Sequence, residues 1–581
     1  MRPSAPFVLL DDARPGGAPP RLYRRPVAVL TACDTQEVEG VLAQLREGTR
    51  AGLHAAGFLS YEAGAAFEPK VRRTPPTPTP LVWFGLFEGY EEPDLAALLP
   101  DPAGAWTLPA APLIGRADYK AGVEQVLELI RAGDLYQANL SFRSAVAVEG
   151  DPLAIYARLR GRAGAGYGAV AAMGTDVVLS FSPELFFALE GDRLTCRPMK
   201  GTSPRGAWPA EDRALRDGLA ADAKNRAENL MIVDLMRNDL SRVAAPGSVE
   251  TPELFAVETY PTVHQMVSTV TARLAPGRDA VDVLAAAFPC GSITGAPKVR
   301  AMQAIADLER GPRGPYTGAI GYIEPGGDAM FNVAIRTLVL QDAFEGSGGA
   351  ILSLGAGIVA DSDPAAEWEE CLAKGAFLGD GRPGFDLIET MAFDPMEGMA
   401  LLERHLARMK ASADRFGFTF DRHAARNELQ AATFRLREAR RVRLMLGPSG
   451  AVAVEVSPPP PAPAGPLRVA IVPLPVPAAD LRLRHKTSER RFYDEARRAA
   501  GTDEVVFEHD GLLTEGSFTS VFVKRDEVLL TPAAGPLLPG VLRAELIEGG
   551  RAREAALTRD DLAGGFLLGN ALRGLMPAVL A

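Results

Sequence analysis

Lys200 stands in residues 197–206, RPMKGTSPRG, between a short apolar strand (192–196) and a turn rich in glycine, serine and proline. Such a turn orders the backbone and still lets it approach a ligand closely. A lysine there is a surface cation, a carboxylate anchor or a nucleophile. Glu184 precedes it in residues 177–187, which read as strand, turn, strand: a hairpin that would bring carboxylate and amine together. The pair is then a salt bridge or, in a closed pocket, an acid–base couple in which each member tunes the other.

A second constellation is acidic. Residues 222–243 carry Glu228 on the strongest helical pattern of the chain. Its apolar set, Leu230, Met231, Val233, Leu235 and Met236, runs nearly all round and predicts a buried helix, on which a carboxylate needs a cationic partner. Asp363-Pro364 predicts a helix start, and Glu367, Glu370 and Lys374 then share one face. Two carboxylates on one face, with Glu228 from another buried helix, suit a hard divalent cation such as Mg²⁺; the alternative is a solvated charged face.

Other elements must position these groups. A helical pattern begins at Tyr119 and stops at Gly133, and Asp134, Tyr136, Gln137 and Asn139 read as a helix end entering a strand. Residues 288–298, FPCGSITGAPK, form a turn-rich loop opening a helix at Pro297, where free N–H groups suit an anion. Residues 316–340, with Tyr316 at their start, read as two strands joined near Gly326-Gly327, with Arg336 on the second. Gly355 and Gly357 follow a further strand. Residues 1–110 alternate short apolar strands with proline and glycine, interrupted by a stiff loop at 72–80.

At 581 residues the chain predicts three or four domain-sized units, and 47% hydrophobic with 23% charged residues is ordinary for a globular protein. A net charge of −11 argues against nucleic-acid binding. Four scattered cysteines without a CxxC pair argue against disulfides or zinc. The N-terminus is unlike a signal peptide and no apolar run is long enough to span a bilayer, so a cytoplasmic location without membrane partners is expected.

Taken in order, the blocks GDLYQANL (133–140), SFSPELFF (180–187), RPMKGTSPRG (197–206), KNRAENLMIVDLMRNDL (224–240), TVHQMVSTVTA (262–272), GSITGAPKVRAM (291–302), FNVAIRTL (331–338) and GAGIVADSDPAAEWEE (355–370) resemble the chorismate-utilising enzymes. These are the anthranilate, aminodeoxychorismate, isochorismate and salicylate synthases. The resemblance implies two large antiparallel sheets with surrounding helices. It implies Glu228 and Glu370 as Mg²⁺ ligands with Glu367 behind them, and Glu184 as the acid protonating the departing hydroxyl. Arg336, Tyr316 and the Gly355 and Gly357 backbone would clamp the enolpyruvyl carboxylate, with Lys374 close by and His264 and Thr294 lining the pocket. Gln137 stands where water-using relatives carry a lysine base, which argues for ammonia as nucleophile. Lys200 matches the lysine of aminodeoxychorismate synthases, where anthranilate synthases usually carry a small or hydroxyl residue. FPCGSITG departs from the family's FPGGSITG at Cys290, and Gly355-Ala356-Gly357 departs from its triple glycine. No cysteine sits in an amidotransferase context, so a separate glutamine amidotransferase subunit is implied as the ammonia source.

Residues 375–384 read as a flexible hinge, after which a second pattern begins. FDLIETM (385–391), LLERHLARM (401–409), RHKTSERRFYD (484–494), LTEGSFTS (513–520), LPGVLR (538–543) and GNAL (569–572) resemble the fold-type IV pyridoxal-phosphate enzymes. Lys486 would be the Schiff-base lysine and Glu515 the partner of the pyridinium nitrogen. Arg408 with the Gly540–Val541 backbone would hold the phosphate, and Asn570 belongs to the same site. The proline run 457–465 would join this module's two lobes. The resemblance fits a homodimer through this module. The domain division is therefore 1–110, the β-rich start of the synthase module; 111–378, its chorismate-binding part; 379–384, a linker; and 385–581, the pyridoxal-phosphate module. The implied function is amination of chorismate to 4-amino-4-deoxychorismate followed by loss of pyruvate to 4-aminobenzoate. An anthranilate synthase-like module fused to an aminotransferase is the alternative.

Overall fold

The computed structural model describes residues 3–71, 76–260, 263–343, 347–533 and 535–581. Arg72 to Pro75 of the proline-rich loop and Thr262 lie outside the described residues.

Among the described residues the first module consists of two ten-stranded sheets. One is built around the long strand Gln137–Glu149, which pairs with Ser347–Ile358 on one side and Gly295–Ala296 on the other. The second runs from Met199–Pro204 through Val263–Arg273, Arg193–Arg197 and Leu185–Glu190 to the N-terminal strands His54–Leu59, Val82–Phe87 and Ala28–Ala32. All of these pairings are antiparallel. The strands before residue 100 enter both sheets, Phe7–Asp11 and Arg21–Arg24 joining the first. They are woven into the module rather than set beside it.

Several expectations are corrected here. Val177–Ser182 and Leu185–Glu190 lie in different sheets, so Ser182-Pro183-Glu184 is a crossing between sheets and not a hairpin turn; the hairpin is the next one, Leu185–Glu190 with Arg193–Arg197. Arg336 is not on a strand. It sits with φ of 51° between Ala329–Val333 in one sheet and Thr337–Leu340 in the other. Gly355 and Gly357 do not follow a strand but lie inside Ser347–Ile358. Lys200 is in a strand rather than a turn, at a register shift between Met199 and Thr202, where Gly201 has φ of 92°. The extra residue of such a bulge re-aims the side chain.

The helix carrying Glu228 spans Ala223–Ser241 and is buried on one face only: Ile232, Val233 and Met236 are covered, while Leu230 is 44% exposed. The apolar residues outnumber what one neighbour covers, and the opposite face meets solvent.

The second module has a four-stranded antiparallel sheet with the helices Leu402–Phe416 and Arg422–Thr433, then a mixed eight-stranded sheet. The run 457–465 leads from the last strand of the former, Val452–Ser457, to the first strand of the latter, Leu467–Pro473. Residues 375–384 are packed and do not form a free hinge. A Cβ on Gly379 would fall 1.9 Å from Arg162 Nη1, and the Gly381 carbonyl accepts from Trp106 Nε1 at 2.8 Å.

Candidate active site

In the first module two glycines clear the floor of the site. A Cβ on Gly357 would lie 2.6 Å from Lys200 Nζ and 3.1 Å from Gln137 Nε2; one on Gly355 would lie 2.9 Å from the Tyr316 hydroxyl. Gln137, Lys200 and Tyr316 therefore converge on one strand. Gln137 is fully buried with both amide atoms unpartnered among the described residues. A buried amide in that state is matched to something that enters the site. Behind this strand Arg313 anchors the backbone: it pairs with Glu309 at 2.7 Å and donates to the Asn139 carbonyl at 2.6 Å.

Burial pushes the Lys200 amine below the usual lysine value; Lys374 adds to this, while Glu228, Glu370 and Glu184 oppose it. Glu184, 5% exposed, is pushed up to about 7 by burial against the opposing pull of Ser292, Lys200 and the Met199 backbone. Ser292 Oγ donates to Glu184 Oε1 at 2.6 Å, and Cys290 Sγ lies 3.3 Å from Ser292 Oγ. The carboxyl is thus balanced between its two protonation states near neutral pH, as a general acid requires.

Arg336 is half-buried, with no hydrogen bond or ion pair to its guanidinium among the described residues, and burial lowers its pKa. Such an unpaired cation suits an anionic ligand. Lys374 Nζ instead caps the Gly355 carbonyl at 2.8 Å and pairs with Glu370 at 2.8 Å. His264 and Thr294 are held by protein groups. Both His264 nitrogens are engaged, by Thr259 and Asp212 at 3.0 Å each, and Thr294 Oγ1 donates to the Cys290 and Gly291 carbonyls.

The acidic constellation spans two helices, and Lys224 of the first pairs at 2.9 Å with Asp361 in the turn before the second. Burial raises Glu228 and Glu367, with Glu370 adding to both. Burial acts upward on Glu370 too, but Lys374 beside it brings it below the usual value. Among the described residues no group of three or more His, Cys, Asp and Glu side chains converges as a metal cage. Glu228 and Glu370 act electrostatically on each other across the two helices, and two carboxylates suit Mg²⁺, an ion that keeps several waters and takes one or two carboxylates.

In the second module a cavity of about 310 Å³ is lined by Lys486, Glu515, Arg408, His405, Ser520 and the helix start Gly540–Val541. Burial brings Lys486 down to about 7, Arg408 adding and Glu389 opposing. Burial raises Glu515 to about 7; it accepts from the Tyr493 hydroxyl at 2.6 Å and from Leu538 N at 3.0 Å. Arg408 is fixed by Glu389 through Nε at 2.8 Å and Nη2 at 2.7 Å, and Glu389 also takes His405 Nδ1 at 2.6 Å. His405 Nε2 is buried and unpartnered among the described residues. Gly540 allows its turn to approach Ser520, whose Oγ would lie 2.6 Å from a Cβ there. Asn570 is used internally: its side chain bonds Phe518 O, Leu572 N and Arg573 N. A cation-rich wall, a proton-poor lysine and a carboxyl held by a tyrosine fit a phosphorylated pyridine cofactor.

The sequence reading missed Ser292, Glu389, His405 and Tyr493, all inside or beside quoted motifs, because their use depends on partners in other elements, 16 residues away for His405 and Glu389 and 108 for Ser292 and Glu184. It also missed Arg441 and Arg443, which line the second cavity with unpartnered buried Nε atoms. Their alternation along Arg440–Leu446 was the available signal.

The amino-transferase class IV model matches residues 386–580. Aminodeoxychorismate synthase component 1 of Salmonella typhimurium is 47% identical over 259 residues, covering 45% of this chain and 56% of that protein. Anthranilate synthase component 1 of Haloferax volcanii is 44% identical over 263 residues, covering 45% and 49%. The chain thus spans about half the length of the curated relatives it matches. Among solved structures, anthranilate synthase component I of Streptococcus pneumoniae superposes with a TM-score of 0.54 at 28% identity, over 64% of this chain and 92% of that one. The menaquinone-specific isochorismate synthase of Escherichia coli shares the fold at a TM-score of 0.50 and 19% identity, over 65% and 89%. The chorismate binding enzyme model matches residues 6–380, well over half of the chain, and with the two-sheet core described above the protein belongs to that family.

Proposed function

We propose that the first module converts chorismate to 4-amino-4-deoxychorismate and that the second removes pyruvate from it to give 4-aminobenzoate. The observation that carries the first half is the placement of Lys200. Its desolvated amine faces Gly357 and Gln137 rather than a directly bonded carboxylate, so the neutral form a nucleophile needs is favoured. Glu184 would protonate the departing C4 hydroxyl, and Arg336 would hold a substrate carboxylate. Mg²⁺ at Glu228 and Glu370 would supply Lewis-acid polarisation, with Glu367 adjacent. Ammonia would come from a separate glutamine amidotransferase subunit.

In the second module pyridoxal phosphate, when bound, supplies an electron sink. Lys486 would move the substrate's α-proton, Glu515 would hold a proton on the ring nitrogen, and Arg408 with the Gly540–Val541 turn would hold the phosphate. The domain limits near 379–384, a dimer through this module and a cytoplasmic location belong to the same reading. No helix among the described residues is long and apolar enough to cross a membrane.

The test is product identification from chorismate, ammonia and Mg²⁺, with and without pyridoxal phosphate. Aminodeoxychorismate without the cofactor and 4-aminobenzoate with it are expected, and Lys200→Ala should abolish both or redirect amination. Anthranilate as sole product would establish the alternative instead, an anthranilate synthase-like module, which the Haloferax similarity keeps in view.

A further inference from the structure

One carboxylate of the first module reaches the elements that build the second module's cavity. Strand Gln137–Glu149 begins at the Lys200 site and ends at Glu149, 2% exposed and roughly 40 Å away at ~3.3 Å per residue. There Arg415 donates to Glu149 Oε1 and, at 3.0 Å, to the Val148 carbonyl; Arg484 Nη1 lies 4.0 Å from Glu149 Oε2. Arg415 is on the helix Leu402–Phe416, two turns beyond Arg408. Arg484 is two residues before Lys486. The two arginines thus belong to the two lobes of the second module; Glu149 bonds Arg415 and stands at ion-pair distance from Arg484, its Oε2 making no hydrogen bond among the described residues.

Neighbouring contacts make this joint rigid. His485 packs on Phe416 at 4.6 Å and bonds Ser412 at 2.9 Å. Trp106, paired across the sheet with Glu149, meets Phe416 edge-on at 5.1 Å. The segment is gripped again at Arg482, buried and bonded to Asp101 of the first module at 2.7 Å. Without Glu149, two partly buried guanidinium groups would face each other and drive the helix and the lysine segment apart.

We propose that Glu149 is a positioning residue for the second module's cofactor cavity: its charge holds Arg415 and Arg484 together and so fixes, beside the direct Ser412–His485 and Ile388–Lys486 bonds, the spacing of the Arg408 helix and the Lys486 segment. This rests on reading the cavity as a pyridoxal-phosphate site.

The test uses the full-length chain and titration of pyridoxal phosphate, followed by its visible absorbance. Glu149→Gln should raise the dissociation constant about tenfold, the low end of the loss seen when a group that orients a metal ligand from behind is removed. Glu149→Asp, which keeps the charge, should recover most of the affinity. Consumption of chorismate with ammonia, measured without pyridoxal phosphate, should stay at the wild-type rate in both. Wild-type affinity in Glu149→Gln overturns the proposal. So does a parallel loss of affinity and chorismate consumption, which marks a folding defect. Failure of the wild-type chain to take up pyridoxal phosphate overturns the cofactor reading itself, a result distinct from the other two.

Discussion

In the proposed reaction Glu184 is the residue that carries the acid–base chemistry of the first site. Its carboxyl, at about 7, is protonated below neutrality and ionised above it. Chorismate consumption should therefore fall through a one-proton limb as pH rises past about 7. Ser292 donates to this carboxyl and favours its ionised form, so Ser292→Ala should move that limb to higher pH. Glu184→Gln should lower kcat by about 10²–10⁴. The sign for stability is opposite. A carboxyl raised above its usual 4.5 weakens the fold increasingly between about 4.5 and 7 and by a constant amount above. Glu184→Gln should consequently melt at a higher temperature than wild type at pH 8, with the gain lost at pH 4. A pH series of calorimetric scans beside the rate profile checks both.

At the level of the element, the strand Ser347–Ile358 does two jobs with two glycines that differ in what they face. A methyl group on Gly357 meets the mobile end of Lys200, so Gly357→Ala should leave stability within about 1 kcal/mol. It should cut chorismate turnover roughly 10²-fold by displacing the amine. A methyl group on Gly355 meets the Leu140 carbonyl at 2.9 Å as well as Ser141 and Tyr316, and backbone cannot yield so cheaply. Gly355→Ala should cost about 1–3 kcal/mol in urea denaturation. Equal stability losses in the two variants would contradict the assignment of Lys200 to the Gly357 floor.

For the whole molecule, the two modules are joined through a buried seam and not by a tether. Trp106 is fully buried, belongs to the first module's sheet and packs in the second module's core. Trp106→Ala should cost about 3–5 kcal/mol, and the loss should fall on the seam. In scanning calorimetry the second module should then unfold at a lower temperature than the first. One transition displaced as a unit would show that cohesion resides elsewhere. The seam also explains why residues 375–384, rich in glycine, are fixed: Arg162 and Trp106 bind their backbone.

Local chemistry in the sequence was enough to place the helix cap at Asp363 and the helix that carries Glu228. Those depend on neighbours only a few residues away. The motif blocks likewise named Lys200, Glu184, Gln137 and Lys486 as residues of interest. What the sequence could not decide was partnership. That Ser182-Pro183-Glu184 crosses between sheets, that Arg336 is unpaired among the described residues while His264 is held on both nitrogens, and that Glu149 reaches Arg415 and Arg484 are consequences of strand order. Contacts between residues distant in the chain, 52 apart for His264 and Asp212 and 266 for Arg415 and Glu149, have no periodicity to read. The pKa displacements of Lys200, Glu184 and Lys486 belong to the same class, because burial causes them and only the assembled sheets create it.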